Sequence, residues 1–446
     1  MFAAPAVAGA AGLRTAITNS SFNGSDGPLS AAYPHVAETG ASAIRIYLSW
    51  AGTAPRARPA SWDPTNPDDP NYFWYIDDQV RAVRRAGLLP IITVSDAPTW
   101  AERSSGGQGG TNDPDPEMFA QFMRAAARRY NGSSADLPVV RNWQIWNEPN
   151  AAYFFNPQRR NGRNVSPELY RSLVNAGASA VRGVSSANRV IAGGTYPFTQ
   201  TAAGSEAIGA RRFFREVTSK PVQFDIWSIH PYTSGNAFHK AFRSGEDASM
   251  GDLPAVRRDL DSVVRTGRIK SRGKPELWVT EFSWDSSPPD PKGVPTDLLT
   301  RWTSEALYQA WRAKVTLFTW FQLRDNPLGA GSQGGLFARC GRPECYRAKP
   351  NLRAFRFPLV AYRRGSSVQV WGRTPRGKRG SVVVEQQRGG GWTRLASVKA
   401  ASDGVFTGSV RPRGSGAVRA RLGDDSSAAF SLRVPPDRPG TTPFGS

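Results

Sequence analysis

Short apolar segments alternate with longer amphipathic segments between Leu13 and about Pro358. The apolar segments are five to seven residues long and rich in Val, Ile, Leu and Trp, a composition typical of parallel strands that are buried on both faces. Eight of them are predicted as strands: Leu13–Thr18, Ala43–Ser49, Leu89–Ser95, Asn142–Asn147, Val190–Gly194, Phe224–His230, Leu277–Glu281 and Val315–Phe321. The amphipathic segments between them predict helices at Leu29–Glu38, Ile76–Ala86, Pro116–Tyr130, Pro167–Val184, Gly209–Thr218, Leu253–Thr266 and Thr296–Ala313.

This alternation predicts an α/β fold over residues 13–358, a (β/α)8 TIM barrel with enlarged loops. An open, doubly wound parallel sheet is the alternative. It is disfavoured because the first strand is not followed by the glycine-rich phosphate-binding segment of that fold.

The pattern changes near residue 358. Short alternating runs, separated by Gly, Pro, Asp or Ser, then predict strands at Ser367–Trp371, Ser381–Gln386, Thr393–Val398, Val405–Val410, Ala417–Leu422 and Ala429–Val434. These runs are typical of a small all-β sandwich, which we assign to residues 359–434. Residues 435–446 are too rich in Pro and Gly to order alone. Residues 1–12 fit either the remnant of a signal peptide, without a basic start, or a disordered end.

The composition is that of a folded protein with a large core, since 39% of the 446 residues are hydrophobic and 14 are Trp. No apolar run reaches the roughly 18 residues of a transmembrane helix, so none is predicted. The net charge of +21 is compatible with binding to the phosphates of nucleic acids. However, nine of the basic residues are Lys and the other 48 are Arg spread along the whole chain. We therefore interpret the charge as a compositional bias and predict no nucleic-acid partner.

Cysteine and histidine are rare. Three histidines and no CxxC pair provide no recognisable set of zinc or iron–sulfur ligands, so no metal and no cofactor are predicted. Cys340 and Cys345 have four residues between them and no further metal ligand nearby. A small disulfide loop is expected there, and it fits an oxidising location outside the cytoplasm.

Two predicted strands end in glutamate. Glu148 follows the fourth strand and Glu281 ends the seventh. A carboxylate at the end of an apolar strand is costly without a task or a partner, and pairing with arginines is the purely structural alternative. In a closed barrel the two strands are three apart, so their carboxylates would face each other across the mouth, where barrel enzymes place their active sites. Hydrolysis of a glycosidic bond requires two such facing carboxyl groups, one protonated to donate to the leaving oxygen and the other ionised to attack the anomeric carbon.

Trp146–Pro149, Thr280-Glu281 and the His-Pro-Tyr of residues 230–232 together resemble the clan A glycoside hydrolases, which are retaining (β/α)8 enzymes. The resemblance covers about Leu13 to Pro358, and it is to family 39-like or family 5 cellulase-like members. Many family 5 cellulase-like members carry a His at the end of strand three. This chain has none in Thr93–Trp100, which moves the resemblance toward family 39-like enzymes.

The resemblance implies that Glu148 is the acid/base and Glu281 the nucleophile. It also implies that Asn147 hydrogen-bonds the 2-hydroxyl group of the sugar. Strand parity adds Arg45, because outward Ile44, Ile46 and Leu48 leave it pointing into the barrel. An inward guanidinium needs a partner, and Glu281 is the natural one, although an acid lower in the barrel is the alternative. This role resembles that of the arginine on strand two of the clan.

Strand six places His230 and Tyr232 at the rim. Tyr232 is expected to donate its hydroxyl to the nucleophile, and His230 to orient that pair or to contact the sugar. A core histidine satisfied by backbone groups is the alternative for His230. Five further residues lie at or just beyond strand ends and are assigned to substrate binding: Asp96 and four tryptophans, Trp50, Trp100, Trp284 and Trp320, whose rings could stack on a sugar. Trp320 resembles the floor of the clan's sugar site, and packing in the core is the alternative for the other three.

These observations predict a retaining O-glycosyl hydrolase that cleaves β-glycosidic bonds of a plant or microbial polysaccharide or oligosaccharide by double displacement. The alternative is a catalytically inactive barrel that binds envelope or acidic polysaccharide. From residue 359 onward there are 15 Lys and Arg against 5 Asp and Glu, a net charge of +10. This basic region is expected to contact acidic glycans or the cell envelope. We expect a monomer that is extracellular or associated with the envelope.

Overall fold

The computed structural model describes residues 12–18, 29–105, 108–134, 136–200, 205–241 and 244–433. Apart from Gly12, the predicted N-terminal segment lies outside the described residues. The predicted tail, residues 435–446, also lies outside them.

Eight parallel strands close into a barrel in which each strand pairs with its neighbours in the chain and the last pairs with the first. The predicted (β/α)8 fold is therefore confirmed. The strands are β1 Arg14–Thr18, β2 Ala43–Ser49, β3 Leu89–Ser95, β4 Asn142–Ile145, β5 Arg189–Thr195, β6 Ile226–Ile229, β7 Glu276–Val279 and β8 Val315–Phe321.

One principal helix follows each strand. These helices are α1 Leu29–Glu38, α2 Asp77–Arg85, α3 Pro116–Arg129, α4 Ser166–Val184, α5 Ala210–Val217, α6 Leu253–Val264, α7 Thr296–Arg312 and α8 Pro350–Arg356. Local chemistry sets their starts, as in α3, where the Asp115 carboxylate accepts hydrogen bonds from the N–H groups of Glu117 and Met118. Within the described residues, no helix combines the length and apolarity needed to cross a membrane.

The apolar core has two layers. The larger one lies between the outer face of the barrel and the helices. The smaller one fills the lower barrel interior with side chains from seven strands, namely Ala16, Ala43, Ile91, Ile191, Ile226, Trp278 and Leu317. Above this plug the inward positions become polar, beginning with Arg45, Thr93 and Gln144, which are all buried. The change from apolar to polar marks the floor of the site.

After the barrel, β9 Phe337–Cys340 and β10 Arg342–Ala348 form a hairpin closed by the expected Cys340–Cys345 disulfide. Two antiparallel sheets follow. They are built from β11 Leu359–Arg364, β12 Ser367–Arg373, β13 Gly380–Arg388, β14 Gly391–Ala400, β15 Val405–Val410 and β16 Val418–Leu422. Strand β11 was not predicted, because the alternation of apolar and polar residues along it ends at Arg363-Arg364. The strand predicted at Ala429–Val434 is reduced to one bridge, between Phe430 and Val418, in its described part.

The C-terminal sheets pack on helix α7 through aromatic rings. The Trp371 ring of β12 lies 5.4 Å from Tyr308 and 5.7 Å from Trp311, measured between centroids. The Arg301 guanidinium lies 4.0 Å from the centre of the Phe430 ring. Because Trp371 is buried in this contact, the barrel and the C-terminal sheets share apolar surface.

Candidate active site

A cavity of about 530 Å³ opens at the carboxyl ends of the barrel strands, a size typical of small-molecule sites. Its described lining contains aromatic rings, hydroxyls, amides and carboxylates, and no Lys, Arg or His. The lining residues are Tyr47, Ser49, Tyr75, Gln79, Ser95, Asp96, Asn147, Glu148, Phe154, Tyr196, Tyr232, Glu281 and Phe321. The structure therefore brings Glu148 and Glu281 together with Asn147, Tyr232 and Asp96.

Glu148 reaches the cavity through an unusual backbone. Strand β4 ends at Ile145, and Trp146 and Glu148 then adopt left-handed conformations with φ of 66° and 44°, which are uncommon for residues other than glycine. The strained segment is held from both sides, because the Trp146 N–H donates to Val94 of β3 and the Glu148 N–H to Gly194 of β5. Strain maintained in this way is typical of functional sites.

Glu281 follows Thr280 at the end of β7, opposite Glu148. The Tyr232 hydroxyl donates to Glu281 Oε2 over 3.2 Å. His230 lies between the two glutamates, with Nδ1 2.9 Å from Glu148 Oε1 and 3.7 Å from Glu281 Oε2. Its other nitrogen, Nε2, is 3.1 Å from Thr280 Oγ1. One carboxylate oxygen of each glutamate and a His230 ring nitrogen lie within 4.8 Å of one another.

The Arg45 guanidinium is fully buried beneath the carboxylates and connects the inner walls of the barrel. Its Nε donates to Thr93 Oγ1 over 2.8 Å and to Gln144 Oε1 over 2.9 Å. Its terminal nitrogens donate to Asn147 Oδ1 over 2.8 Å, and to Tyr47 and Glu281. Arg45 therefore pairs with Glu281 rather than with an acid lower in the barrel.

Strand β5 places a glycine next to the site, where a side chain would not fit. Gly194 has a φ of +61°, and a Cβ atom built on it would lie 2.4 Å from Gln144 Nε2 and 3.4 Å from His230 Nε2. A side chain at this position would therefore displace the groups that support Arg45 and Glu148.

The surroundings shift the two carboxyl pKa values in opposite directions. Burial raises the pKa of Glu148, although the hydrogen bond and charge of His230 partly oppose it. Burial alone would also raise the pKa of Glu281, but His230, Arg45 and the Tyr47 hydroxyl outweigh it and lower that pKa. Of the two, Glu148 is thus the group better suited to hold and donate a proton and Glu281 the one better suited to remain ionised.

Comparison with known proteins now identifies the family. The sequence model described as cellulase, glycosyl hydrolase family 5, matches residues 8–323 of the 446. This chain belongs to glycosyl hydrolase family 5. It is therefore a glycosidase, in agreement with the function class predicted from its sequence. No curated protein matches the chain at a significant level.

Solved structures share the fold of this family 5 member at low identity. A family 39 glycoside hydrolase from Bacteroides cellulosilyticus WH2 has a TM-score of 0.55 and 15% identity, with 89% of this chain and 79% of that chain covered. A monomeric β-xylosidase from Caulobacter crescentus CB15 has the same score and identity, with 91% and 98% covered. The family 39 enzyme from Xanthomonas axonopodis pv. citri scores 0.53 at 16% identity, with 90% and 92% covered. Families 5 and 39 are the two that the sequence resembles.

The four tryptophans assigned to sugar stacking do not line the cavity of this family 5 enzyme. Trp50 stacks on Phe122 in the core, and Trp284 and Trp320 are fully buried on the outer side of the barrel. Trp100 is half-buried, with its edge against Trp50. Their indole N–H groups, except that of Trp50, donate to backbone carbonyls. Trp50, Trp284 and Trp320 are too deeply buried to offer a ring face to a sugar, which corrects their assignment, and Trp100 lies outside the described lining of the cavity.

Strand parity explains the correction at β8. Trp320 and Phe321 point to opposite faces, and Phe321 lines the cavity whereas Trp320 packs 5.9 Å from Phe355 of α8. Sequence reasoning passed over Phe321 because tryptophan is the more familiar sugar platform. Tyr47 was also missed as a site residue, although it lies two residues after Arg45 on the same inward face.

Two other features do not change the assignment. Glu148, His230 and Glu281 are placed closely enough to ligate a metal ion, but the Arg45 guanidinium already neutralises Glu281 and opposes a second cation. A larger cavity of about 1040 Å³ lies between α1, α8 and the C-terminal sheets. Its charges are mixed and include the Arg356–Asp425 ion pair, and its lining shares no residue with the cavity that contains the facing glutamates.

Proposed function

We propose that this family 5 enzyme is a retaining glycosidase that hydrolyses β-glycosidic bonds of a polysaccharide or oligosaccharide by double displacement. The observation that carries the proposal is the pair of facing glutamates whose pKa values are shifted apart, with carboxylate oxygens within 4.8 Å of each other. Retaining enzymes place their two carboxyl groups about 5 to 5.5 Å apart, whereas inverting enzymes leave about 6.5 to 9.5 Å for a water molecule.

In the first step Glu281 attacks the anomeric carbon while Glu148 gives its proton to the departing glycosidic oxygen, so the C–O bond to the leaving group breaks and a glycosyl-enzyme ester forms. In the second step Glu148, now ionised, removes a proton from water. The resulting hydroxide displaces Glu281 and restores both groups. Arg45, Tyr47 and Tyr232 would hold Glu281 ionised and correctly oriented.

The charge of the cavity favours an uncharged glycan. Its described lining carries the carboxylates of Asp96, Glu148 and Glu281 and no basic side chain. A uronic acid carboxylate in this cavity would have no cationic partner among those residues and would be repelled by the ionised Glu281 carboxylate. Asp96, exposed at the mouth with the Ser49 and Ser95 hydroxyls donating to it, is suited to accept hydrogen bonds from sugar hydroxyls.

We further propose that the enzyme acts outside the cytoplasm, in the medium or at the cell envelope, as a monomer. The Cys340–Cys345 disulfide supports this location, since such bonds persist in oxidising compartments. The net charge of +10 beyond residue 358 supports contact of the C-terminal region with an acidic glycan or envelope surface.

The E281Q variant tests the mechanism. Loss of the nucleophile should reduce kcat on an aryl β-glycoside by about 10³-fold or more, because glutamine cannot form the glycosyl-enzyme. Azide should restore turnover in E281G and give the α-glycosyl azide. In an E148A variant azide should instead give the β-glycosyl azide. NMR of the first product released by the unmodified enzyme should show the β-anomer.

The same substitution at an exposed helix residue, E168Q, is the matched control and should leave kcat unchanged. Full activity of E281Q would contradict the proposed nucleophile, and release of the α-anomer would show inversion. If the unmodified enzyme hydrolysed no glycoside in a broad panel, the barrel would be the inactive binding protein considered above.

A further inference from the structure

Two largely exposed aromatic rings stand beside the active-site cavity. Phe73, in the loop after β2, is 70% exposed, and Tyr153, in the loop after β4, is 58% exposed. The Phe73 ring lies 6.5 Å from Tyr75, and the Tyr153 ring lies 4.9 Å from Phe154, between centroids. Tyr75 and Phe154 both line the cavity. Each exposed ring therefore lies beside an aromatic residue that lines the cavity.

The local sequence fixes Phe73 in this position. Along Tyr72–Tyr75 burial alternates, so that Tyr72 and Trp74 are buried while Phe73 is exposed and Tyr75 lines the cavity. The Phe73 N–H donates to the Thr53 carbonyl over 2.9 Å. Tyr72 and Trp74 are fixed by packing, whereas Phe73 leaves most of its ring in water next to a residue that lines the cavity.

Tyr153 lies in the loop after β4, and its neighbours hold that loop in a comparable way. Its neighbour Ala152 donates its N–H to the Glu206 carbonyl over 2.9 Å, and Phe155 is buried against Trp146. The Tyr153 ring meets Phe154 edge-on, at 79° between ring planes. With 58% of its surface exposed, Tyr153 keeps ring surface available to a ligand.

We propose that Phe73 and Tyr153 are outer sugar-binding subsites, on which successive units of a glycan chain stack as the chain leaves the cavity. This inference rests on the proposed function and adds that the enzyme recognises a chain rather than a single terminal sugar. Sugar rings present apolar C–H faces that stack on aromatic rings. The occupant is taken to be the substrate chain because both rings continue the aromatic wall of the cavity itself.

Kinetics on substrates of increasing length test this proposal. The ratio of kcat/KM on a hexasaccharide to kcat/KM on the aryl monoglycoside of the same sugar should fall about tenfold in F73A or Y153A, and further in the double variant. The L89A variant is the control, since Leu89 is also exposed but lies at the opposite end of β3. An unchanged ratio in both single variants and in the double variant would overturn the proposal.

A binding measurement separates this proposal from the proposed function. E281Q protein is run through native gels containing xylan, β-glucan or mannan, with and without the F73A and Y153A substitutions. Retardation of E281Q that the two substitutions abolish supports the outer subsites even if no substrate is turned over. Equal mobility of all these proteins in every gel overturns the proposal. The catalytic mechanism is tested separately, by the turnover measurements described above for E281Q.

Discussion

Arg45 shows how one residue can organise a catalytic centre. Its side chain is wholly buried and donates to five side chains that arise from β2, β3, β4 and the segments that follow β4 and β7. Arginine is suited to this role because its planar fork carries five donors and stays charged when buried. Lysine could replace the charge but not the set of contacts.

The position of His230 leads to a prediction about pH dependence. Activity should fall on the acid side as Glu281 gains a proton and on the alkaline side as Glu148 loses one. His230 lowers the pKa of both groups. The H230Q variant should therefore move both limbs of the profile of kcat/KM against pH toward higher pH, and the measurement is that profile on an aryl glycoside.

The direction of each shift distinguishes this role from simple packing. A loss of activity at every pH without displacement of either limb would show that His230 only supports the fold. A move of either limb toward lower pH would contradict the electrostatic role. H239Q is a suitable control, since His239 lies in the loop after β6 and is not part of the described lining of the cavity.

At the level of single residues, much of the site could be read from the sequence. Glu148, Glu281, Arg45 and Tyr232 follow from strand ends and strand parity, and these residues meet in the structure. The sugar platforms did not follow, because indole rings serve core packing and sugar stacking equally well. Only the three-dimensional arrangement reveals which face of a ring is already covered.

Strand β8 allows these two roles to be separated. W320A should lower the free energy of unfolding by about 3 to 5 kcal/mol, because it removes a large, fully buried ring. F321A should change stability much less but reduce kcat/KM about tenfold, because Phe321 lines the cavity. Denaturant unfolding and kinetics on the same preparations provide the two measurements.

The opposite result, in which F321A unfolds easily and W320A loses only activity, would mean that Trp320 is the sugar platform.

At the level of elements, the sequence predicted the barrel strands well because buried parallel strands are nearly continuous apolar runs. It predicted the C-terminal strands less well. Strand β11 was missed, since its two arginines interrupt the alternation that identifies a half-buried strand.

The whole molecule is less modular than its change in composition indicates. Tyr308 and Trp311 of helix α7 pack on Trp371, and the Tyr362 hydroxyl donates to Glu305 over 3.1 Å. A chain that ends at residue 358 would expose these rings to water. We expect it to aggregate or to unfold at a markedly lower Tm than the full chain, as calorimetry or light scattering would show.

A truncated chain that is soluble, fully active and equally stable would show instead that the C-terminal sheets are an independent appendage.

Retention on an acidic polymer is better tested in the intact protein. R388E with K399E reverses two exposed charges on β13 and β14, and R268E with K274E makes the same change on the barrel. Salt-sensitive retention should weaken only in the first pair.

The two glycines at the end of β5 set a boundary for redesign of this enzyme. Gly193 and Gly194 leave no volume for a side chain, since a Cβ on either would meet neighbouring atoms at 2.3 to 2.4 Å. New specificity therefore has to be introduced elsewhere, for example through the loops after β2, β3 and β4, which supply Tyr75, Asp96 and Phe154 to the cavity lining. A library that spares this glycine pair should retain far more active variants than one that randomises it.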